Sequence, residues 1–202
     1  MKCSIAFGAL LLVVAVISAP PLFCTDQTAK PTEARYYPLA LGNIWKYRVH
    51  RVSPKTSDSV VQWRVTHAGD TYQVWPKPMQ SDDEAMELAV SPEGIKEISS
   101  NTFIIKFPIK AGERWSAGQL EGGNKSRTFR VLSANGPCSV DSLKISNCIT
   151  IEDEDASATG LRTVTTYGRD LGPVLYMYYR KTAGKELLVQ TLTLTSHKFT
   201  GP

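Results

Sequence analysis

From residue 36 onward the chain alternates apolar and polar residues far more often than it repeats with a helical period. Trp45-Lys46-Tyr47-Arg48-Val49-His50 and Val61-Gln62-Trp63-Arg64-Val65 each present one apolar face, and the polar run Ser53 to Ser59 separates them. This predicts a hairpin with one buried face, paired so that His67 lies opposite Trp45. Tyr72 to Trp75 resumes after Ala68-Gly69-Asp70 and is stopped by Pro76 and Pro78. Further strands are expected at Met86 to Val90, Ile95 to Ser99, Phe103 to Phe107, Arg127 to Leu132, Leu143 to Ile151, Leu161 to Tyr167, Val174 to Arg180 and Leu187 to Thr195. About a dozen short strands bounded by turn residues predict an all-β fold, a curved antiparallel sheet closing toward a barrel or sandwich.

Two of these strands carry more detail. In the last, Leu188, Leu192 and Leu194 share one face while Thr191, Thr193 and Thr195 line the other. In Leu175-Tyr176-Met177-Tyr178-Tyr179 both faces are apolar or aromatic. That pattern is expected for burial on two sides, with a wall facing a cavity as the alternative.

One phrase occurs twice, seventy residues apart: Tyr37-Pro38-Leu39-Ala40-Leu41-Gly42-Asn43-Ile44-Trp45 and Phe107-Pro108-Ile109-Lys110-Ala111-Gly112-Glu113-Arg114-Trp115. Proline fixes φ and favours an extended residue before it, and glycine permits a positive-φ turn, so each copy reads as an extended run turning into a strand. Trp45 and Trp115 are expected to be buried anchors, with Gly42 and Gly112 in comparable turns.

Ahead of the β-rich domain, expected over 36–202, the chain has a different character. Lys2 is followed by an apolar run from Ile5 to Ile17 and a break at Ser18-Ala19-Pro20-Pro21. This reads as a secretory signal helix over 1–23, too short to span a bilayer, followed by a flexible tether over 24–35. With Cys3 in the signal, Cys24, Cys138 and Cys148 remain. Acylation of Cys24 as a lipoprotein N-terminus leaves an even pair, whereas cleavage after Ala19 gives a freely secreted chain; Pro21 and Phe23 depart from the usual lipoprotein pattern, and both routes stay open. The composition, 42% hydrophobic and 21% charged with a formal net charge of +4, is that of a globular protein. Its basic residues are interspersed with acidic ones, which leaves no nucleic-acid footprint.

The chemistry-bearing residues are few. Cys138 and Cys148 lie ten residues apart around Asp141-Ser142, which favours a disulfide across a turn, two buried thiols being the alternative. Three widely spaced histidines, His50, His67 and His197, do not form a metal set, and no cofactor fingerprint occurs. The acidic runs Asp82-Asp83-Glu84 and Glu152-Asp153-Glu154-Asp155 read as solvated hairpin turns.

The signal ending near a cysteine, the two aromatic-Pro phrases, Asn147-Cys148 and Tyr167-Gly168-Arg169-Asp170-Leu171-Gly172-Pro173-Val174 together resemble a broad group of uncharacterised bacterial envelope lipoproteins. The resemblance covers roughly residues 36 to 197, with departures at Cys138 and at Arg169-Asp170-Leu171. It implies a curved sheet that binds acyl chains or a partner, on a protein tied to a membrane through an N-terminal lipid. The function expected from this is a non-catalytic binding or assembly role in the cell envelope, for an unknown envelope partner or an apolar ligand. The alternatives are a hydrolase with a carboxylate pair across the sheet, a structural module of an envelope complex, and a carrier of an acyl chain.

Overall fold

The computed structural model describes residues 31–52, 54–68, 70–77, 85–117, 127–155, 160–182 and 184–200. The expected signal helix, Cys24 and the acidic run Asp82-Asp83-Glu84 lie outside them. A 3-10 helix, Thr32–Tyr36, precedes twelve strands. These are β1 (Ile44–Arg51), β2 (Ser59–Ala68), β3 (Thr71–Lys77), β4 (Met86–Ser91), β5 (Gly94–Glu97), β6 (Thr102–Lys106), β7 (Arg114–Ser116), β8 (Arg127–Val140), β9 (Leu143–Asp155), β10 (Leu161–Gly168), β11 (Gly172–Thr182) and β12 (Lys185–Lys198).

All twelve belong to one antiparallel sheet in the order β6-β5-β4-β3-β2-β1-β12-β11-β10-β9-β8-β7, nearly closed into a barrel. Every neighbouring pair but one is consecutive in sequence. The exception joins the first strand to the last, with Ile44 opposite Lys198 and Arg51 opposite Gln190. The ladder ends at β6 and β7, which leaves a seam at mid-chain. There the Trp115 indole donates to the Phe103 carbonyl at 2.7 Å, and Arg127 on β8 lies 3.8 Å from Glu97 on β5.

The barrel therefore consists of two six-stranded halves, β1 to β6 and β7 to β12, and each begins with the repeated phrase. Gly42 and Gly112 both have φ of +84°, where a glycine is favoured over any residue carrying a Cβ. The Gly42 amide donates to Val65 of β2 and the Gly112 amide to Val131 of β8; Val65 and Val131 donate back to Asn43 and Glu113. Trp45 then faces Trp63, and Trp115 faces Phe129. The two turns are thus the same device, docking the lead-in segment onto the second strand of its half.

Burial separates the two copies. Trp45 is fully buried, its indole donating to the Leu171 carbonyl at 2.7 Å and its ring packed edge-on to Tyr37 and Phe199. Trp115, expected to be buried, is half-buried, because it stands at the seam in a strand of only three residues. Asn43 ties the first copy to the chain end, donating to the Pro38 carbonyl and accepting from the Thr200 amide, whereas Glu113 stands at the matching position.

The barrel interior is the core, built on Trp45, Tyr47, Val65, Leu88, Ile95, Ile105, Ile149 and Val174. One stretch of chain lies outside it. Arg48 alternates with the inward Tyr47 and Val49 and so points outward, yet its guanidinium meets Asp141, at the β8–β9 turn, at 2.6 Å. In sheet order β10, β11 and β12 separate β9 from β1, four spacings or ~19 Å; the seven residues from Cys148 to Asp141 reach ~23 Å when extended. The tip of the β8–β9 hairpin therefore crosses the outer face of those strands. Register shifts between Val131 and Cys138 supply the bend, and the Cys138–Cys148 disulfide staples it, with Cα atoms 5.9 Å apart. This cover explains why Thr166 and Thr193, on the outer face, are each only 7% exposed.

The structure corrects several sequence expectations. The chain reverses early, with Val52 and Lys55 bridged around Pro54, so Trp45 faces Trp63, and His67 faces Tyr72 instead of Trp45. The segment expected as a tether over 24–35 ends in ordered structure, since Ala34 is buried and Arg35 pairs with Asp170. The threonine face of β12 is partly enclosed by the hairpin. Within the second acidic run, Glu152 and Asp153 lie in β9 opposite β10 instead of forming a solvated turn.

Candidate functional site

Strand alternation sends Asp153 of β9, Thr163, Thr165 and Tyr167 of β10, and Tyr176 and Tyr178 of β11 into the barrel. With Trp63 from β2, Arg127 and Phe129 from β8, and Tyr37 from the lead-in segment they line a partly open cavity of about 200 Å³. Met86, Ile104 and Ile151 complete an apolar wall. An outer groove of about 350 Å³ beside Arg114, Arg130 and Glu152, and one of about 480 Å³ beneath the 3-10 helix, are larger. The 200 Å³ cavity is lined by inward-facing strand side chains, and it combines rings with a charged cluster.

Tyr176 and Tyr178 stack in parallel, at 10° and 6.2 Å, while Trp63, Tyr47 and Tyr176 meet at steeper angles. Trp63 lies 5.1 Å from Tyr176 at 57° and 5.1 Å from Tyr47 at 56°, while Tyr47 and Tyr176 meet edge-on at 72°. Tyr37 reaches in from the lead-in segment and packs 6.0 Å from Tyr167. Its hydroxyl is buried, facing Tyr176 beyond ordinary hydrogen-bond reach. A buried hydroxyl left without a full hydrogen bond costs about 1–3 kcal/mol.

At the polar side, the Arg127 guanidinium forks onto Asp153, with Nε to Oδ1 at 2.7 Å and a second, parallel bond to Oδ2. Glu97 lies 3.8 Å from the same guanidinium and accepts from the Ser100 hydroxyl at 2.6 Å. Arg127 also sits over the Phe129 ring, 5.2 Å from its centre. Both carboxylates that face one another across the seam are thus engaged by one arginine, and neither is free to act alone as an acid or base.

Burial pushes the Tyr37, Tyr47 and Tyr176 hydroxyls well above the ordinary tyrosine value. Tyr167 is raised in the same way, and Tyr178 is pushed up to about 12, by burial first and the Asp153 charge second. Because the folded values exceed the unfolded one, the stability these groups contribute is complete below pH ~10 and is lost as pH rises toward 12 and beyond. In an ultraviolet titration of phenolate, these five of the eight tyrosines are expected to resist ionisation until well past pH ~10 or until the fold opens. Complete titration near pH 10 in the folded protein would contradict the buried cluster.

The residues singled out from the sequence lie elsewhere. Pro38, Gly42 and Trp45 form the barrel floor, with Gly172 beneath the Trp45 ring; a Cβ on Gly172 would come within 2.9 Å of the indole nitrogen. Pro108, Gly112 and Trp115 lead into the seam, and the Phe107–Pro108 bond is cis. Cys138 and Cys148 staple the outer hairpin. None of these lines the cavity. Around the cavity, the doubly apolar pattern at Tyr176 and Tyr178 was the sequence signal, while Arg127 and Asp153 in its lining and Glu97 beside Arg127 carried none. Among the described residues, no three His, Cys, Asp or Glu side chains are grouped to hold a metal ion.

No family model and no curated protein matches the chain. Among solved structures, an exported protein with a YmcC-like fold from Bacteroides fragilis aligns over 81% of this chain and 98% of its own, at 10% identity and a TM-score of 0.46. A chain described as a lipoprotein, from Parabacteroides distasonis, aligns over the same shares at 10% identity and a TM-score of 0.39. Both likenesses are too distant to carry a ligand or an activity across.

Proposed function

We propose that this is an exported cell-envelope protein, held to a membrane through Cys24, whose barrel binds a small ligand without transforming it. The observation that carries the binding role is the ring-lined cavity of about 200 Å³, walled by apolar side chains and edged by the Arg127 cluster. A dry cavity of ~150 Å³ accepts benzene, so this one suits a single ring or a short branched chain. The full extent of a long acyl chain exceeds it. The address rests on the apolar run of 5–17 and on the stapling disulfide, a bond at home in oxidising compartments.

Trp63, in the cavity wall, reports occupancy. Titrating the full-length protein with one-ring and short-chain probes should give a saturable change in tryptophan fluorescence that Trp63→Phe abolishes. Flat titrations with every probe would remove the binding role. The competing role is assembly through exposed strand edges; at the seam these edges are only five and three residues long and Trp115 already bridges them.

A further inference from the structure

We propose that the ligand of the barrel cavity is an organic ammonium ion, alkylated or quaternary, held among Trp63, Tyr176 and Tyr178 with Glu97 and Asp153 supplying the opposing charge. This rests on the binding role above and names the chemical class it serves.

Three observations point the same way. The first is the wall. Six aromatic residues line a volume of about 200 Å³; Tyr176 and Tyr178 lie parallel, at 10° with centroids 6.2 Å apart, and Trp63 is turned 57° to Tyr176, so ring faces border the site from more than one direction. Ring faces carry negative potential and attract a cation strongly once it is desolvated. The second is charge. Among the described residues, Arg127 contributes one positive charge to the cluster at the edge of the cavity, and Asp153 and Glu97 contribute two negative ones. The third is that the site already accommodates a cation: the Arg127 guanidinium rests over Phe129 while bonded to Asp153.

An anion would meet the reverse conditions. The Arg127 guanidinium that would attract it is already engaged by two carboxylates, and the surrounding ring faces repel it. A neutral molecule of equal shape gains the apolar contact and nothing from the charge. The buried Tyr37 hydroxyl, which burial keeps protonated, offers an acceptor oxygen to the N–H of a partly alkylated ammonium, whereas a quaternary ion, which has no N–H, is held by the ring faces and the carboxylates alone.

Calorimetric titration of the full-length protein with three probes of matched shape separates the possibilities: choline, the neutral 3,3-dimethylbutan-1-ol and the anionic 3,3-dimethylbutanoate. Choline is expected to bind about ten- to thirtyfold more tightly than the neutral isostere. Tyr178→Leu should reduce choline affinity about tenfold while sparing the neutral probe. Glu97→Gln, at a partly exposed position that keeps its shape, should weaken choline several-fold and leave the alcohol unchanged, and it decides the matter if Tyr178→Leu fails to fold. Equal or tighter binding of the alcohol or the carboxylate overturns the ammonium assignment and leaves the binding role standing. No binding of any of the three, together with flat fluorescence titrations, overturns both.

Discussion

Trp45→Ala is expected to remove about 3–5 kcal/mol of folding stability, and Trp115→Ala about half as much, although the two residues occupy the same place in the same phrase. Trp45 is fully buried, fills the barrel floor between Tyr37 and Phe199, and is the donor to the Leu171 carbonyl in the β10–β11 turn. Its truncation leaves a cavity too enclosed to refill and a carbonyl short of a partner. Trp115 keeps one side open to solvent, so less apolar area is lost, and its flat stack on Phe129 at 5.4 Å is replaceable by water on the exposed side. Urea unfolding of both variants gives the comparison, with unchanged m-values required for it to be read as stability. Equal losses would mean that the seam is as well packed as the floor.

Removing the Cys138–Cys148 bridge, by reduction or as the Cys138→Ser, Cys148→Ser double variant, is expected to cost about 3 kcal/mol. The separation of ten residues sets that scale through the entropy the closed loop removes from the unfolded chain. The local effect should be more telling than the global one. The bridge closes the bend of the β8–β9 hairpin, whose tip is otherwise pinned by the solvent-exposed Arg48–Asp141 pair, a contact worth little by itself. Amide exchange should therefore accelerate first in 133–147 and then at outer-face positions such as Thr166 and Thr193, while β1 to β5 stay protected. Reduced and oxidised protein with the same unfolding midpoint would show that the hairpin holds its place without the staple.

Much of this architecture was legible in the chain, and the reasons differ from place to place. Strands with one buried face, such as β1 and β2, announce themselves by alternation, and the two glycine turns are written in φ preferences that few residues share. Pairing partners depend on where the chain reverses, and Pro54 does this earlier than the midpoint of the polar run, which moved Trp63 into line with Trp45. The strand expected to stop at Leu132 runs on through Gly136-Pro137 to Val140, and there the proline, which donates nothing to a ladder, sits among register shifts, where that missing donor costs least. Asp153 hid in an acidic run because alternation buries one carboxylate while Glu152 and Glu154 on either side face out. Its partner, Arg127, is 26 residues away in sequence, and only the sheet brings them together. The Cys138–Cys148 pairing was read from spacing, but its place on a hairpin folded over the outer wall requires the contact between Arg48 and Asp141, 93 residues apart.

The pairing of β1 with β12 also dictates an order of events. One edge of the first strand stays without its ladder until residues 190–198 exist, so a chain that emerges N-terminus first completes its second half before its first half is closed on both sides. Contacts spanning some 140 residues come late and slow the search for the native state, and an open β1 edge is a template for unwanted pairing in the meantime. Deleting residues 190–198 should accordingly disable the whole barrel and not just one edge of it, making that strand a checkpoint through which every correctly folded copy must pass.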